Sequence, residues 1–358
     1  MEALIDRDAG KQADAAAFES RVSVAVAEVV GKQVDAGVDV INDGEQGKSS
    51  YLNYLRQRVG GLELMGDRGP FHTLDQRDFP EQAATRMRAA PWQRPSCTGP
   101  LVWTDRDAVH RDIATLKAAL GSVEPVEAFM TAASPGAASQ YIVDRYYGSE
   151  EAYVFALAEL LKDEYDAIHK AGLVLQLDAP DLAGGRSAKY ADQSDGEFIR
   201  TVEIHIEALN HAVRDIPAER IRLHVCWGNY EGPHVRDVPL ADLIRPLLKA
   251  RPAGLSVEGA NPRHAHEWQV FERVKLPDGK VLIPGVIDST TNFVEHPELV
   301  QQRIARYADV AGRENVIAGT DCGFGTAATL NPMVDPRIAW AKLEAMAEGA
   351  RLASTALW

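Results

Sequence analysis

The sequence contains few of the features that mark secreted, membrane-embedded or nucleic-acid-binding proteins. It has 3 cysteines in 358 residues, too few for a disulfide framework, so we expect reduced thiols and a cytoplasmic location. No apolar run reaches the roughly 18 residues of a membrane span, and the first residues lack the order of a signal peptide. The net charge of -14 argues against nucleic acids and membranes as partners. We therefore expect an enzyme that acts on small molecules.

Apolar runs that resemble strands alternate with helical stretches along the whole chain. This alternation is typical of a parallel α/β fold, and 46% hydrophobic residues are enough to fill a large core. The predicted strands, apolar almost throughout as strands covered on both faces are, lie at 38–45, 97–103, 127–134, 173–178, 221–226, 254–258, 282–288 and 316–322. The predicted helices lie at 14–33, 150–170, 197–214, 240–250, 297–311 and 336–350. We predict one domain over residues 1–358, a single (β/α)8 TIM barrel.

Residues 46–95 interrupt this rhythm after the first predicted strand. The segment is rich in glycine, arginine and aromatic residues. Insertions of this length in compact domains are often lids over an active site. We interpret it as a lid or pocket wall, with a peripheral excursion that has its own small core as the alternative. One face of a predicted helix in it carries Tyr51, Tyr54 and Arg56, which either line the pocket or pack.

The most informative residues lie where predicted strands end. His224 and Cys226 are two apart on one strand, so their side chains point to the same face. Glu258 and Cys322 end two further strands, and barrel enzymes hold their catalytic groups at the carboxyl ends of strands. One imidazole, two thiolates and one carboxylate form a suitable ligand set for Zn²⁺. On the residues alone, a histidine and a cysteine that merely pack in the core stay an alternative.

Six motifs, in this order, resemble the cobalamin-independent methionine synthase family over residues 15–358. They are Asp43-Gly44-Glu45, Leu177-Asp178-Ala179-Pro180, His224-Val225-Cys226-Trp227-Gly228-Asn229, Ser256-Val257-Glu258, Pro284-Gly285-Val286-Ile287-Asp288 and Asp321-Cys322-Gly323. The resemblance implies a catalytic barrel in which zinc is bound by His224, Cys226, Glu258 and Cys322. It implies that Glu45 and Asp178 are catalytic residues that hold the amino end of homocysteine, and it places Asn229 and Asp288 among the substrate-binding residues. The implied activity is zinc-dependent transfer of an alkyl group, above all methyl, to a thiol, as in methionine biosynthesis.

The chain differs from the family pattern in three places. Residues 1–15 contain no Gly-Ser strand, and Thr290 stands where the family has its general-acid histidine. Counterparts of the tryptophan and glutamate that contact folate are not evident, although Cys97 matches a folate-side cysteine. The general acid and the alkyl donor, whether folate, a corrinoid, an epoxide or another compound, therefore stay open.

Other functions stay open beside methyl transfer. Single-barrel relatives include epoxyalkane:coenzyme M transferases, so one alternative is ring opening of an epoxide by coenzyme M or a similar thiol. Another is a metal-free barrel related to uroporphyrinogen decarboxylase, in which both cysteines only pack. A barrel that has lost catalysis and serves as a binding partner is least favoured, because the ligand set is complete. The expected partners are a small-molecule thiol and an alkyl donor, and a homo-oligomer is among the options.

Two further groups of polar residues have structural interpretations as well as functional ones. His264 and His266 lie two apart at a predicted helix start, where their side chains diverge, so a structural or lid role is favoured over a second metal site. Asp181, after the strand 173–178, is either an acid–base residue or a helix N-cap.

Overall fold

Ten strands and thirteen α-helices make up the part of the chain that this computed structural model describes, residues 1–8, 10–11, 14–65, 73–86 (84–86 by backbone only), 94–330 and 332–358. The strands are β1 (Val40–Ile41), β2 (Val59–Glu63), β3 (Ser96–Trp103), β4 (Glu127–Ala133), β5 (Val143–Asp144), β6 (Val174–Asp178), β7 (Ile221–Val225), β8 (Gly254–Val257), β9 (Val281–Ile287) and β10 (Gly319–Thr320). The helices are α1 (Glu2–Asp8), α2 (Ala15–Asp35), α3 (Tyr51–Arg58), α4 (Leu74–Asp78), α5 (Pro80–Arg86), α6 (Ala108–Leu120), α7 (Pro135–Tyr141), α8 (Glu150–Lys170), α9 (Asp195–Ala212), α10 (Leu240–Leu247), α11 (Val270–Arg273), α12 (Pro297–Ala311) and α13 (Pro336–Leu357).

Seven of the strands form one curled parallel sheet. They pair in the order β1-β4-β6-β7-β8-β9-β10, which is also their order in the sequence. Each connection therefore leads from one strand to its immediate neighbour in the sheet. Helices α2, α8, α12 and α13 pack against its strands. Parallel strands connected through helices on one side are the construction of an α/β barrel. The predicted α/β class and barrel architecture are therefore confirmed.

The prediction of a barrel strand at 97–103 is wrong. Strand β3 belongs to a separate three-stranded sheet, where it pairs antiparallel with β2 and parallel with β5. Its residues are buried only at the start, and Val102 is 54% exposed, whereas β4 is buried along almost its whole length. The described residues therefore supply seven strands to the parallel sheet, one fewer than predicted, and β1 and β10 form its two ends.

The structure confirms the predicted helices. They were predictable because the residues that cap a helix are strong local signals in the sequence. Helix α8 spans the predicted residues, and the Ser149 hydroxyl accepts the Ala152 N–H at 3.2 Å. Helix α2 begins after Asp14, whose carboxylate accepts the Ala16 N–H at 3.0 Å. Helix α13 runs beyond its predicted end to Leu357. Among the described residues, no helix is both long and apolar enough to cross a bilayer.

The predicted insertion, 46–95, is folded where the structure describes it, while 66–72 and 87–93 lie outside the described residues. Arg58, at the end of α3, donates to Glu164 of α8 at 2.7 Å, and both side chains are buried. The Arg58 guanidinium also stacks on the Tyr54 ring, 3.7 Å from its centroid. Helix α3 is thereby anchored to the outside of the barrel. Its role as a lid stays a prediction.

Alternation along the strands divides apolar from polar side chains. On β6, Leu175 and Leu177 are fully buried and belong to the main hydrophobic core with residues of the outer helices. Residues between them in sequence point the other way, into the barrel. The half-buried polar residues of this inner face on β6 and β7 are Gln176, Asp178, Arg222 and His224. The fold thus brings polar groups to the interior at the carboxyl ends of its strands.

Candidate metal centre

Side chains from distant strand ends meet at one point of the barrel rim. His224 lies on β7, Cys226 directly follows β7, and Cys322 follows β10. One ligand atom from each residue lies within 4.8 Å of those from the other two. Because β8 and β9 separate β7 from β10 in the sheet, only the curl of the sheet brings Cys322 to the other two residues.

Glu258, the first residue after β8, lies against this group. Its Oε1 accepts the Trp227 N–H at 2.7 Å and lies 3.9 Å from the Sγ of Cys322. Its Oε2 accepts a hydrogen bond from the side-chain amide of Asn261 at 2.7 Å. Glu258 is only 4% exposed. The structure thus brings together the four residues that the sequence predicts as metal ligands.

The His224 ring is oriented by its neighbours in the sheet. His224 is in register with Asp178 on β6 and with Ser256 on β8. Its Nδ1 lies 3.3 Å from the Ser256 hydroxyl. A histidine that ligates a metal usually engages its second ring nitrogen in such a contact, which sets the tautomer.

The four groups perturb one another strongly. A hydrogen bond with Cys322 holds the pKa of the Cys226 thiol well below its usual range despite burial, and it raises the pKa of Cys322. Burial lowers the pKa of His224, but hydrogen bonding to the Cys226 thiolate outweighs it and raises that pKa to about 9. Burial, followed by the charge of Cys226, raises the pKa of Glu258 to about 8. Burial and mutual repulsion thus disfavour the charged forms of Glu258 and Cys322, and a bound cation would favour them.

The arrangement fits a tetrahedral zinc ion. Ligand atoms about 2.0–2.3 Å from one ion lie roughly 3.3–3.8 Å from one another; here the atoms of His224, Cys226 and Cys322 lie within 4.8 Å of one another, and Glu258 Oε1 lies 3.9 Å from Cys322 Sγ. Two sulfur atoms, one imidazole nitrogen and one carboxylate oxygen are ligands that zinc accepts. Within the described residues, no second group of three such side chains is close enough to hold a metal.

Comparison with known proteins identifies the family. The model of the catalytic domain of cobalamin-independent synthases matches residues 124–335, more than half of the chain. The chain belongs to the cobalamin-independent methionine synthase family. Membership places it among enzymes that transfer a methyl group to a thiol.

Relatives and solved structures agree with this assignment. The methionine synthase of Thermococcus kodakarensis is 24% identical over 336 residues, which cover 94% of this chain and 84% of the relative. That of Saccharolobus solfataricus is 24% identical over 321 residues, covering 88% of this chain and 80% of the relative. The B12-independent methionine synthase of Shewanella sp. W3-18-1, solved with selenomethionine, superposes with a TM-score of 0.75 at 18% identity, covering 97% and 91% of the two chains. That superposition supports the fold.

Glu45 and Asp178, the residues predicted to hold the substrate amine in this family, face the barrel interior from the ends of β1 and β6, which β4 separates in the sheet. Glu45 follows Gly44 in a tight turn after β1, and its φ of 51° lies in the left-handed region, which costs a non-glycine residue about 1–3 kcal/mol. Its Oε1 accepts the Thr131 hydroxyl at 2.5 Å. Burial raises the pKa of Asp178 to about 6, with the nearby Glu45 adding to the shift and His224 opposing it.

Asn229 and Asp288 hold loops at the rim. The Asn229 amide donates to the Gly323 carbonyl at 2.7 Å and its oxygen accepts the Ser289 hydroxyl at 3.1 Å. Both carboxylate oxygens of Asp288 accept hydrogen bonds from the backbone and hydroxyls of the two threonines that follow it. These contacts join the loops after β7, β9 and β10.

Two residues of the segment after Glu45 lie near this region: Tyr51, one of the residues predicted either to line the pocket or to pack, and Lys48, which the sequence reasoning missed. Burial, followed by the charges of Asp178, Cys226 and Glu45, raises the pKa of Tyr51, which places its phenol among these groups. Burial lowers the pKa of Lys48, but the carboxylates of Asp43 and Glu45 outweigh it and raise the pKa. The sequence feature that could have indicated Lys48 is its position shortly after the Asp43-Gly44-Glu45 motif.

Several other predicted residues have structural partners. Both ring nitrogens of His264 contact carboxylates, those of Glu267 at 2.8 Å and Asp237 at 3.1 Å, and the ring stacks on Trp227. Cys97 is fully buried in β3, where its thiol donates to the Gly99 carbonyl at 3.2 Å. His264 thus supports the loop after β7 from behind.

Asp181 faces away from the metal centre into a buried polar network. Its carboxylate accepts the Ser134 hydroxyl at 2.7 Å and contacts His205 Nδ1 at 2.8 Å. The other nitrogen of His205 lies 3.1 Å from Glu150. Burial lowers the pKa of His205, but hydrogen bonds to Asp181 and Glu150 outweigh it and raise the pKa. The network fixes the segment that follows Asp178.

This raised pKa gives a pH-dependent contribution to stability. His205 is charged in the fold above its unfolded pKa of about 6.5, so its contribution is complete below that pH and is lost as the pH rises through the folded value. We expect His205→Gln to lower the free energy of unfolding by about 3 kcal/mol at pH 6 and by less at pH 9. Denaturant unfolding from pH 5 to 9 measures this. His211→Gln, on the exposed side of the same helix, is the control; a His205→Gln effect that does not change with pH contradicts the prediction.

Proposed function

We propose that the protein is a zinc-dependent methyltransferase whose acceptor is a small thiol of the homocysteine type. The observation that carries the proposal is the convergence of His224, Cys226 and Cys322, with Glu258 beside them. We also propose that residues 1–358 act as one domain, because the main hydrophobic core includes residues of both the barrel and the insertion.

In this proposal the four side chains hold the ion through one imidazole nitrogen, two sulfurs and one carboxylate oxygen. Because Nδ1 of His224 contacts Ser256, we assign Nε2 as its ligand atom. When bound, Zn²⁺ in this ligand set supplies a Lewis acid that favours loss of the thiol proton near neutral pH and leaves the sulfur nucleophilic. Burial of both cysteines and of Glu258 keeps competing water away.

Glu45 and Asp178 are proposed to orient the acceptor by binding its ammonium group. Both carboxylates lie close to the metal ligands, and Asp178 is in register with His224 itself. A charge-assisted hydrogen bond to each carboxylate would hold the amine while the sulfur reaches the ion. We propose that Asn229 and Asp288 contribute to substrate binding through the rim loops that they hold.

The two alternatives are less well supported by the described side chains. Coenzyme M carries a sulfonate and needs a cation, but Arg58 is paired with Glu164, and the negative charges of Asp43 and Glu45 lie near Lys48. Arg56 and Arg86 are two other arginines of the insertion that could supply the cation: the charge of Arg56 acts on Tyr141, and the side chain of Arg86 lies outside the described region. A metal-free barrel would use both cysteines for packing alone, whereas here they lie against a buried carboxylate and an imidazole. Amino-thiol methylation is therefore favoured.

Metal analysis tests the zinc proposal. We expect about one zinc per chain in the purified wild type, and loss of most of it in Cys226→Ser and Cys322→Ser, because a hydroxyl is deprotonated by zinc far less readily than a thiol. Cys97→Ser is the matched control, since Cys97 is equally buried but lies in the small sheet. Elemental analysis of the folded proteins is the measurement. A wild type without zinc, or ligand variants that retain as much as the control, overturns the proposal.

Binding of three thiols to the zinc-loaded protein tests the role of Asp178. We expect homocysteine to bind more tightly than coenzyme M, because two carboxylates attract an ammonium and repel a sulfonate. Asp178→Asn should weaken homocysteine about 10-fold or more, the loss of one charge-assisted hydrogen bond. 3-Mercaptopropionate, which lacks the amine and carries only a carboxylate, should bind the Asn variant at least as tightly as the wild type. If calorimetry shows coenzyme M binding more tightly and homocysteine unaffected by Asp178→Asn, epoxide opening replaces methyl transfer as the preferred function.

Hydrogen exchange tests the lid role of residues 46–95. Tyr51 and Lys48 already lie beside the predicted substrate-binding residues, so a bound thiol should order this segment. We expect slower amide exchange in its peptides when homocysteine is added to the zinc-loaded protein. Peptides of α13, on the outside of the barrel, serve as the internal reference. Equal exchange with and without the thiol favours the peripheral excursion.

A further inference from the structure

A buried aspartate joins the end of β10 to the loop that follows β8. Asp321 is 2% exposed. Its Oδ1 accepts the N–H groups of Gly259 and Ala260, each at 2.8 Å. Its Oδ2 accepts the backbone N–H of Asn261 at 2.8 Å and the side-chain amide of the same residue at 3.0 Å. One carboxylate thus determines the course of the loop directly after Glu258.

The Asn261 amide connects this aspartate to the proposed ligand. Its Nδ2 donates both to Glu258 Oε2, at 2.7 Å, and to Asp321 Oδ2. The amide therefore separates two buried carboxylates that would otherwise repel each other. Since Asp321 directly precedes Cys322, the same contacts hold Glu258 in position relative to Cys322.

The neighbouring strand leaves space for this arrangement. Gly285 on β9 is in register with Gly319 of β10. A Cβ at Gly285 would lie 2.0 Å from Asp321 Oδ1 and 2.7 Å from Asp321 Cα, so any other residue there displaces both the carboxylate and the backbone of Asp321. The position of Asp321 is therefore fixed by three elements of the fold: the loop after β8, strand β9 and the end of β10.

We propose that Asp321 and Asn261 are positioning residues of the metal centre, which hold the Glu258 carboxylate beside Cys322 and thereby set the affinity for zinc. Groups that bind the ligands of a metal typically change its affinity about 10–100-fold when they are removed. This inference rests on the proposed function in one respect, that Glu258 is a ligand.

Substitutions at Asn261 test the inference directly, because this residue is half-buried and touches no proposed ligand other than Glu258. Asn261→Ala should lower zinc affinity about 10–100-fold, measured by competition with a chelator. Asn261→Asp should lower it further, since a third carboxylate then faces the other two. Asn210→Ala is the control: Asn210 also joins two backbone segments, by its contacts with Lys249 and Arg251, but lies in another part of the barrel. Its zinc affinity should equal that of the wild type.

A spectroscopic readout separates positioning from general destabilisation. The visible spectrum of the Co²⁺-substituted protein reports the ligand set and should differ between Asn261→Ala and Asn210→Ala. Gly285→Ala, which displaces Asp321 without removing a polar group, should lower zinc affinity as Asn261→Ala does; if it does not fold, the Asn261 variants decide. A tight-binding wild type with Asn261 variants equal to the control overturns this inference alone. A wild type that binds no zinc overturns the proposed function itself.

Discussion

The curl of the parallel sheet is the constraint on which the other features of this protein depend. Strands β7 and β10 are separated by two strands, yet the side chains that follow them lie within a few ångströms of each other. In a flat sheet with strands about 4.8 Å apart, the same residues would be roughly 14 Å apart. The curl therefore creates the candidate metal centre, and Gly285 on β9 leaves the space that Asp321 at the end of β10 occupies.

The curl also brings acidic groups together. Two cysteines and the carboxylates of Glu45, Asp178 and Glu258 line one buried region, where burial raises the pKa values of Asp178 and Glu258. Cations would favour the charged forms of these groups in different ways. A divalent ion suits the sulfur side, and an ammonium suits the carboxylates of Glu45 and Asp178. The neighbouring Lys48 offsets part of the charge from behind.

The support of the metal centre is distributed over several loops. The Trp227 N–H and the Asn261 amide each hold one oxygen of Glu258, and Ser256 contacts the His224 ring. Trp227 in turn stacks on His264, 4.0 Å between ring centroids. Such contacts limit the orientations of the proposed ligands, so an ion would find the geometry of the site already formed. Tyr51, at the start of α3 in the insertion, lies near the same group of side chains.

The sequence by itself determined the helix bounds and the candidate ligands of this protein. The bounds of α8 follow from Ser149 and the helical period, and the pairing of His224 with Cys226 follows from the two-residue period of a strand. The order of the family's motifs named all four proposed ligands without a structure. The helix bounds and the His224–Cys226 pair depend on residues close in sequence, and the order of the motifs can be read from the sequence directly.

Only the tertiary structure decided which strands pair. The apolar run at β3 satisfies every local criterion for a barrel strand, but β2 lies beside it and draws it into the small sheet. The sequence of an apolar strand does not show which strand it pairs with, because the backbone groups that form the hydrogen bonds are the same in nearly every residue. For the same reason sequence could not show that Asp321 binds the loop after Glu258, or that Tyr51 faces Asp178. Those contacts join residues distant in the chain, and only the curled sheet brings them together.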